Sequence, residues 1–456
     1  MPREIKTFHS AKDPWEIFQS VYTDSEICFF LDSPQCAPPD QSYSYIGMDP
    51  ALEIRLEKGR LIVSGEEKGN YPASKIFDVL RRFAKREETA SKKTARHPFF
   101  TGGFVGCWGY EMAALCDRIK FRRKKELDLP ELYLGLFREV IVFDHSKRIY
   151  YLATNGRGRK DAERLKRYFK MSVNSERKFL LKKFSPKITR AQFEKIVRRA
   201  KEYIAAGDIY QANLSQRFDF EFRGSALALY GKLRSINPSP FSSFFKIRDL
   251  QIVSSSPERL IKKRGEQCET RPIAGTCPAY GPKTKLKEWR KKLLQNPKER
   301  AEHLMLVDLE RNDLGRVCDY ESVKVEEFMA LEKYSHVVHI VSKIIGRLQK
   351  KKDAFDLVKA MFPGGTITGC PKIRCMEIID ELEPVKRGIY TGSLGYIGLD
   401  GDMDLNIVIR TLVLKGWRGN LQVGAGIVWD SDPRKEYEET LHKGEALVKA
   451  LVEASQ

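Results

Sequence analysis

The chain has 456 residues, 42% hydrophobic and 11% aromatic, enough to bury a large core and inconsistent with a disordered polypeptide. Its 81 basic and 61 acidic residues leave a net charge of +20, a field that draws in anions, either nucleic acid or small acidic metabolites. No stretch reaches the roughly 18 uncharged apolar residues of a membrane span, and the opening Met1-Pro2-Arg3-Glu4-Ile5-Lys6 lacks the apolar core of a signal peptide. The expectation is a cytoplasmic protein with no membrane partner. Nine cysteines without a CxxC pair argue against a disulfide or zinc framework. The basic excess sits in short clusters such as Arg122-Arg123-Lys124-Lys125. A basic nucleic-acid-binding protein is the remote alternative, resting on charge alone, since RNP-like, KH and zinc-finger patterns are absent.

Residues 1–185 read as a β-rich region. Leu52, Ile54 and Leu56 alternate, and the pattern resumes at Leu61 and Val63 after Lys58-Gly59, which predicts a hairpin. A second hairpin is expected between Leu136 and Ala153, turning at Asp144-His145-Ser146-Lys147. The charged stretch 85–96 reads as a loop. At Ser185-Pro186-Lys187 the pattern changes, and residues 186–456 form the second region. There Thr189 and Gln192 make a capping box ahead of Phe193, Ile196, Val197, Ala200 and Ile204 at helical spacing. Asn296 as cap, Pro297 first and Glu299 third predict a helix to about Asn312, ending near Gly315. Another helix should open near Thr368-Gly369-Cys370-Pro371 and run through Ile379. Strands follow from Gly392 to Trp429, turning at Asp400-Gly401 and Gly416-Trp417-Arg418-Gly419. A last helix is capped by Asp432 and begins at Pro433. Hairpins interrupted by helices predict an α+β fold, a large and mainly antiparallel β-sandwich with helices packed outside.

Two acidic stripes stand out. Glu299 and Glu302 are three apart on one helix, and Glu436, Glu439 and Lys443 follow at i, i+3 and i+7 on the last. Tyr437, Leu441, Val448, Leu451 and Val452 are expected to form that last helix's separate apolar face. Either stripe alone reads as a solvated surface. If the two met, their carboxylates would repel unless a hard cation bridged them, and magnesium completed by water and an anionic substrate suits such oxygen ligands. Pro363-Gly364-Gly365-Thr366-Ile367-Thr368-Gly369 and Gly424-Ala425-Gly426 could bare backbone amides to an anion, although a plain turn is the better reading of the glycines taken alone. Cys370 after Gly369 rules out a nucleotide P-loop. His336 and His339 lack the neighbours of a metal site, which leaves a buried histidine or a proton-transfer group.

In linear order, Ser256-Pro257-Glu258, Arg271-Pro272-Ile273-Ala274-Gly275-Thr276, the run 299–313, the run 363–372, Asp404 to Thr411 and Gly424 to Lys443 resemble the chorismate-utilising enzymes. The resemblance covers nearly the whole chain and is densest after residue 200. It implies a chorismate site with magnesium held mainly by Glu302 and Glu439, and Glu299 and Glu436 supporting through water. It further implies that Lys443 and the amides of Gly424, Ala425 and Gly426 hold one substrate carboxylate, while Arg410 and Tyr390 hold the enolpyruvyl carboxylate. Thr366 and His339 would contact the ring and its hydroxyl, and Glu258 would be the general acid. Gln211 stands where the water-using members carry a lysine base. An amide cannot deprotonate water, so ammonia is the implied nucleophile, supplied by a separate glutamine amidotransferase subunit.

Among the ammonia-using members, the chain is most similar to aminodeoxychorismate synthase component I, with anthranilate synthase component I as the alternative. Leu31-Asp32-Ser33 and Phe241-Ser242-Ser243 stand where anthranilate synthase has Leu-Glu-Ser and a Tyr-Met pair for its effector. By that likeness Leu31, Asp32, Ser33 and Phe241 would form an effector pocket, although Ser42-Tyr43-Ser44 lacks the arginine that usually precedes the tyrosine. Ala274 occupies the position where many aminodeoxychorismate synthases carry a nucleophilic lysine, and Tyr334-Ser335-His336 resembles anthranilate synthase, so both products stay open.

Overall fold

Alternation along the strands decides the layering. In the strand Ile27–Asp32, Phe29 packs inward against Phe137 and Phe245, whereas its neighbour Phe30 packs outward against Phe18 and Trp15. Phe244 and Phe245, and Val140 and Ile141, divide between the same two cores. A side-chain period of two gives each strand two faces, and here both are apolar. The computed structural model describes residues 3–33, 43–90, 97–117, 119–123, 128–155, 159–171, 178–334 and 337–456. Cys36, Ser42, the 91–96 part of the charged stretch, Lys124, Lys125, Ser335 and His336 lie outside the described residues.

The described strands form two twelve-stranded, antiparallel sheets. One core lies between them and contains Phe29, Tyr133, Val140, Phe245, Leu394 and Val413. A second covers the outer face of one sheet with helices that include Pro14–Asp24, Ala226–Ile236 and Pro433–Glu453. A third covers the other sheet with Ile76–Ala90, Pro297–Gly315 and Ala354–Met361. The result is the expected α+β sandwich with helices outside. Strands from both sides of residue 185 share both sheets: Ile27–Asp32 pairs with Phe241–Ile247, and Gly103–Trp108 pairs with Ser393–Gly398. No helix among the described residues is long and apolar enough to cross a membrane.

Most local signals hold. Both predicted hairpins form, as Leu52–Glu57 with Arg60–Gly65 and Glu139–Asp144 with Ile149–Asn155. Thr189 and Gln192 exchange both capping-box bonds, and Asn296 accepts from the amides of Lys298 and Glu299. Two expectations need correction. Residues 85–90 belong to the helix Ile76–Ala90, because Ile76, Leu80 and Phe83 anchor its first turns and Arg138 pairs with Glu87 beyond them. In the helix Pro433–Glu453, Leu441 and Val452 are exposed, and the buried stripe is Glu436, Thr440, Gly444, Leu447 and Leu451. Thr440 can be buried because its hydroxyl accepts from Gln216 Nε2 at 2.6 Å and donates to Tyr437 O.

Candidate active site

Two adjacent crossovers between the sheets build the floor of the site. The chain leaves Leu250–Ser256 in one sheet and enters Arg259–Arg264 in the other through Pro257 and Glu258. It returns from Met403–Asn406 to Thr411–Lys415 through residues 407–410. Ile407 N donates to Glu258 O at 3.0 Å, Ser255 N to Arg410 O at 3.1 Å, and Ser256 Oγ to Ile407 O at 2.6 Å. Glu258 and Arg410 are thereby presented side by side, Arg410 at a φ of 49° where its strand departs. That departure also uncovers an edge. Thr411–Lys415 pairs with Arg418–Ile427 only as far as Leu421, so no described strand covers the far edge of Gly424, Ala425 and Gly426.

Glu258 is 6% exposed and accepts from Thr366 Oγ1 at 2.7 Å. Burial pushes its carboxyl up to about 7, against the lowering effects of Thr366, Lys443 and Arg410. The guanidinium of Arg410, which is partly buried, makes no hydrogen bond or ion pair among the described residues, and burial depresses it. A desolvated cation without a counter-ion is a receptor for an anion. His339 is buried opposite Thr276, and burial takes its imidazole down to about 4. Its Nδ1 lies 2.9 Å from Gly275 O, a carbonyl that can only accept, so we assign the proton to Nδ1 and leave Nε2 as an acceptor. Tyr390 is buried beside Gly424, where a Cβ would lie 2.8 Å from its hydroxyl.

The two acidic stripes meet. Burial raises the Glu299 carboxyl, and the charges of Glu302 and Glu439 add to that; burial raises Glu436 as well, with Glu439 adding. Glu436 is buried, Glu299 and Glu302 are half-buried, and Glu439 is exposed. Glu302 accepts from Gln211 Nε2 at 2.9 Å, and Lys443 Nζ bridges Glu439 at 2.6 Å and Gly424 O at 3.1 Å. Gly275 makes room for this group: it has φ 61°, and a Cβ on it would lie 2.8 Å from Glu299 Oε2. Among the described residues no three His, Cys, Asp or Glu side chains come close enough to share one metal ion. The glycines 364 and 365 are packing positions, since a Cβ at Gly365 would meet Leu309 at 2.3 Å.

Leu31, Asp32, Ser33 and Phe241 lie elsewhere, together in the wall of one cavity of about 100 Å³ between the sheets. Asp32 there is held by Arg234 at 2.5 Å.

Sequence reasoning missed the supports beneath the site. Arg387 and Glu383 form a buried ion pair at 2.7 Å, and Arg387 also donates to Ile367 O and Asn213 O while Glu383 accepts from the amide of Ser215. This pair ties the Thr366 loop to the strand that begins at Gln211. Their spacing of four carries no helical signal, because Pro384 follows Glu383 directly. Lys372 and Asp313 pair at 2.5 Å below the other side.

A chorismate binding enzyme model matches residues 26–449. An anthranilate synthase component I-like protein of Synechocystis is 41% identical over 446 residues, covering 96% of this chain and 89% of that protein. Aminodeoxychorismate synthase component 1 of Bacillus subtilis is 41% identical over 421 residues, covering 90% and 89%. The crystal structure of anthranilate synthase component I from Streptococcus pneumoniae superposes with a TM-score of 0.80 at 33% identity, covering 91% of this chain and 93% of that one. A buried acid beside an unpaired guanidinium, on a chain similar from end to end to these proteins, has one family reading: the chain belongs to the chorismate-binding enzymes.

Proposed function

We propose that the chain aminates chorismate with ammonia to give 4-amino-4-deoxychorismate, a step towards 4-aminobenzoate and folate. The observation that carries this reading is Glu258, a buried carboxyl at about 7 that touches Thr366 and is flanked by the cations Arg410 and Lys443. A general acid must hold its proton near neutral pH and still release it. Chorismate is a dianion. Arg410 with Tyr390 would take the enolpyruvyl carboxylate, and Lys443 with the open edge of Gly424, Ala425 and Gly426 would take the other. Glu258 then protonates the C4 hydroxyl, which leaves as water while the C4–N bond forms, and the ammonium nitrogen returns a proton to the Glu258 carboxylate. Thr366 and the Nε2 acceptor of His339 orient the ring and its hydroxyl. Gln211, its amide committed to Glu302, has no base to offer water, and neutral ammonia needs none.

The carboxylates suit magnesium. Among the described residues they form no full cage, and magnesium takes one or two carboxylates and keeps several waters. Glu302 and Glu439 would hold it directly, Glu299 and Glu436 through water. When bound, the ion supplies charge compensation for a substrate carboxylate. The curated relatives are first components, which supports a separate partner, assigned here as a glutamine amidotransferase subunit supplying ammonia. By the family likeness, the cavity at Leu31, Asp32, Ser33 and Phe241 would take an effector.

A second reading has its own observation. Ala274, buried on Ile273–Pro278 beside Gly275, presents a methyl group where covalent attack on C2 would need an amine. Ammonia would then add at C2 as the C4 hydroxyl leaves as water, and loss of pyruvate from that product would give anthranilate. Incubation with chorismate, magnesium and ammonium at alkaline pH separates the readings. Anthranilate fluoresces and releases pyruvate, whereas 4-amino-4-deoxychorismate does neither and is identified by mass. Formation of neither product would refute amination.

A further inference from the structure

The helix Pro297–Gly315 carries another carboxylate that the proposed reaction does not use. Glu310 lies on the same side as Glu299 and Glu302 but deeper, and is 4% exposed. Among the described residues its hydrogen-bond partner is Thr270 Oγ1, at 2.6 Å, and no cation pairs with it. The charged groups whose fields reach it are Glu258 from the crossover, Asp313 from its own helix and Lys372 from the helix Lys372–Leu382. Lys372 is already bound to Asp313 at 2.5 Å, so that pair presents little net charge.

The hydroxyl of Thr270 has one proton and two claims on it. Thr270 Oγ1 also lies 2.9 Å from Leu260 O, and that carbonyl can only accept. If Glu310 were ionised, the single proton would serve either the carboxylate or the carbonyl, leaving the other oxygen facing Thr270 with no hydrogen between them. If Glu310 is protonated, both bonds form in one direction: Glu310 O–H to Thr270 Oγ, and Thr270 O–H to Leu260 O. Such a chain satisfies both acceptors that face the Thr270 hydroxyl and is mutually strengthening. Burial without a cation favours the same neutral form, and burial is the leading cause that drives this carboxyl well above its ordinary range.

Leu260 is two residues beyond Glu258. Its neighbour Arg259 is clamped by Glu269 at 2.8 Å and Asp404 at 3.0 Å. The proton chain is therefore a polar link between the helix bearing Glu299 and Glu302 and the strand that follows Glu258, beside the apolar packing of Val307 and Leu314 in the same core as Leu260 and Ile261. We propose that Glu310 is a positioning residue, a carboxylic acid that stays protonated at neutral pH, donates to Thr270, and holds Glu258 in register with the carboxylate helix without adding a negative charge beside it. The positioning part rests on the reading of Glu258 as the general acid; the protonation does not.

Infrared spectra of the protein alone at pH 7 test the proton. The wild type should show a carboxylic C=O band that is missing in Glu310→Gln, and identical spectra would overturn the proposal. If Glu310→Gln does not fold, Thr270→Val gives the same test, because the band should move to higher frequency when its acceptor is removed; an unmoved band overturns it. Turnover of chorismate with ammonium tests the role. A glutamine reproduces a protonated Glu310 in charge, so the Glu310→Gln to wild-type activity ratio at matched ammonium should be flat across the alkaline limb. A ratio that falls as pH rises means that a real negative charge was removed beside Glu258, and sinks the idea. Thr270→Val should lower kcat about tenfold with KM changed less than about twofold, as for other outer supports, and Thr270→Ser should restore it. If the wild type itself does not turn over chorismate, the amination reading fails while the infrared comparison still decides the proton.

Discussion

The mouth and the floor of the site treat charge in opposite ways. At the mouth, burial and the charges of Glu302 and Glu439 raise the Glu299 carboxyl, and burial with Glu439 raises Glu436, while among the described residues Lys443 is the one cation bonded to these four glutamates. At the floor, buried charges are paired, as in Arg387 with Glu383 and Lys372 with Asp313, or held near neutrality, as in Glu258; the exception is Arg410. The mouth is thus short of a cation and the floor short of an anion. The magnesium-bound dicarboxylate of the proposed function would meet both deficits at once.

Mutations at the two regions should separate their roles. Glu258→Gln removes the floor's proton and should lower turnover by about 10²–10⁴-fold, with chorismate binding, measured by calorimetry, changed only a few-fold. Loss of binding instead would assign Glu258 to recognition. Glu302→Ala at the mouth should lower activity by about a hundredfold or more, as expected for removal of a ligand to a charge-stabilising ion. Its magnesium titration should shift to higher concentration, and an unshifted titration would refute the metal assignment. Arg387→Ala leaves Glu383 buried and alone, and should destabilise by about 3–5 kcal/mol in urea unfolding. His339 is depressed from 6.5 to about 4, so the folded state binds fewer protons than the unfolded one in that window. Stability should therefore fall as pH drops from about 6.5 to 4, by about 3 kcal/mol for this residue, and His339→Gln should flatten that part of the acid slope. The smallest effect is expected at Gly275→Ala, about 1–3 kcal/mol from a left-handed φ, read as a lower Tm.

The helix ends were legible because capping is local. Asn296, Thr189 and Asp432 each act on amides two or three residues away. Motif order carried the family and named the candidate site residues that the proposed function uses. The buried face of the last helix was misread because hydrophobicity alone does not see Gln216, which lies 224 positions from Thr440 and makes its burial possible. Thr270 and Glu310 were invisible for the same reason, since their partners come from other elements, and the pair of Arg387 and Glu383 because Pro384 removes any helical reading of its spacing.

Secondary structure, the two acidic stripes and family membership were written in the amino-acid order itself, because caps, turns and periodicity depend on neighbours within a few residues. That the stripes converge, that burial raises the Glu258 carboxyl and that Arg410 has no counter-ion among the described residues were settled only when two sheets exchanged strands beside one another. Proton affinity and the need for a counter-charge follow from burial and distance, and those are properties of the assembled fold.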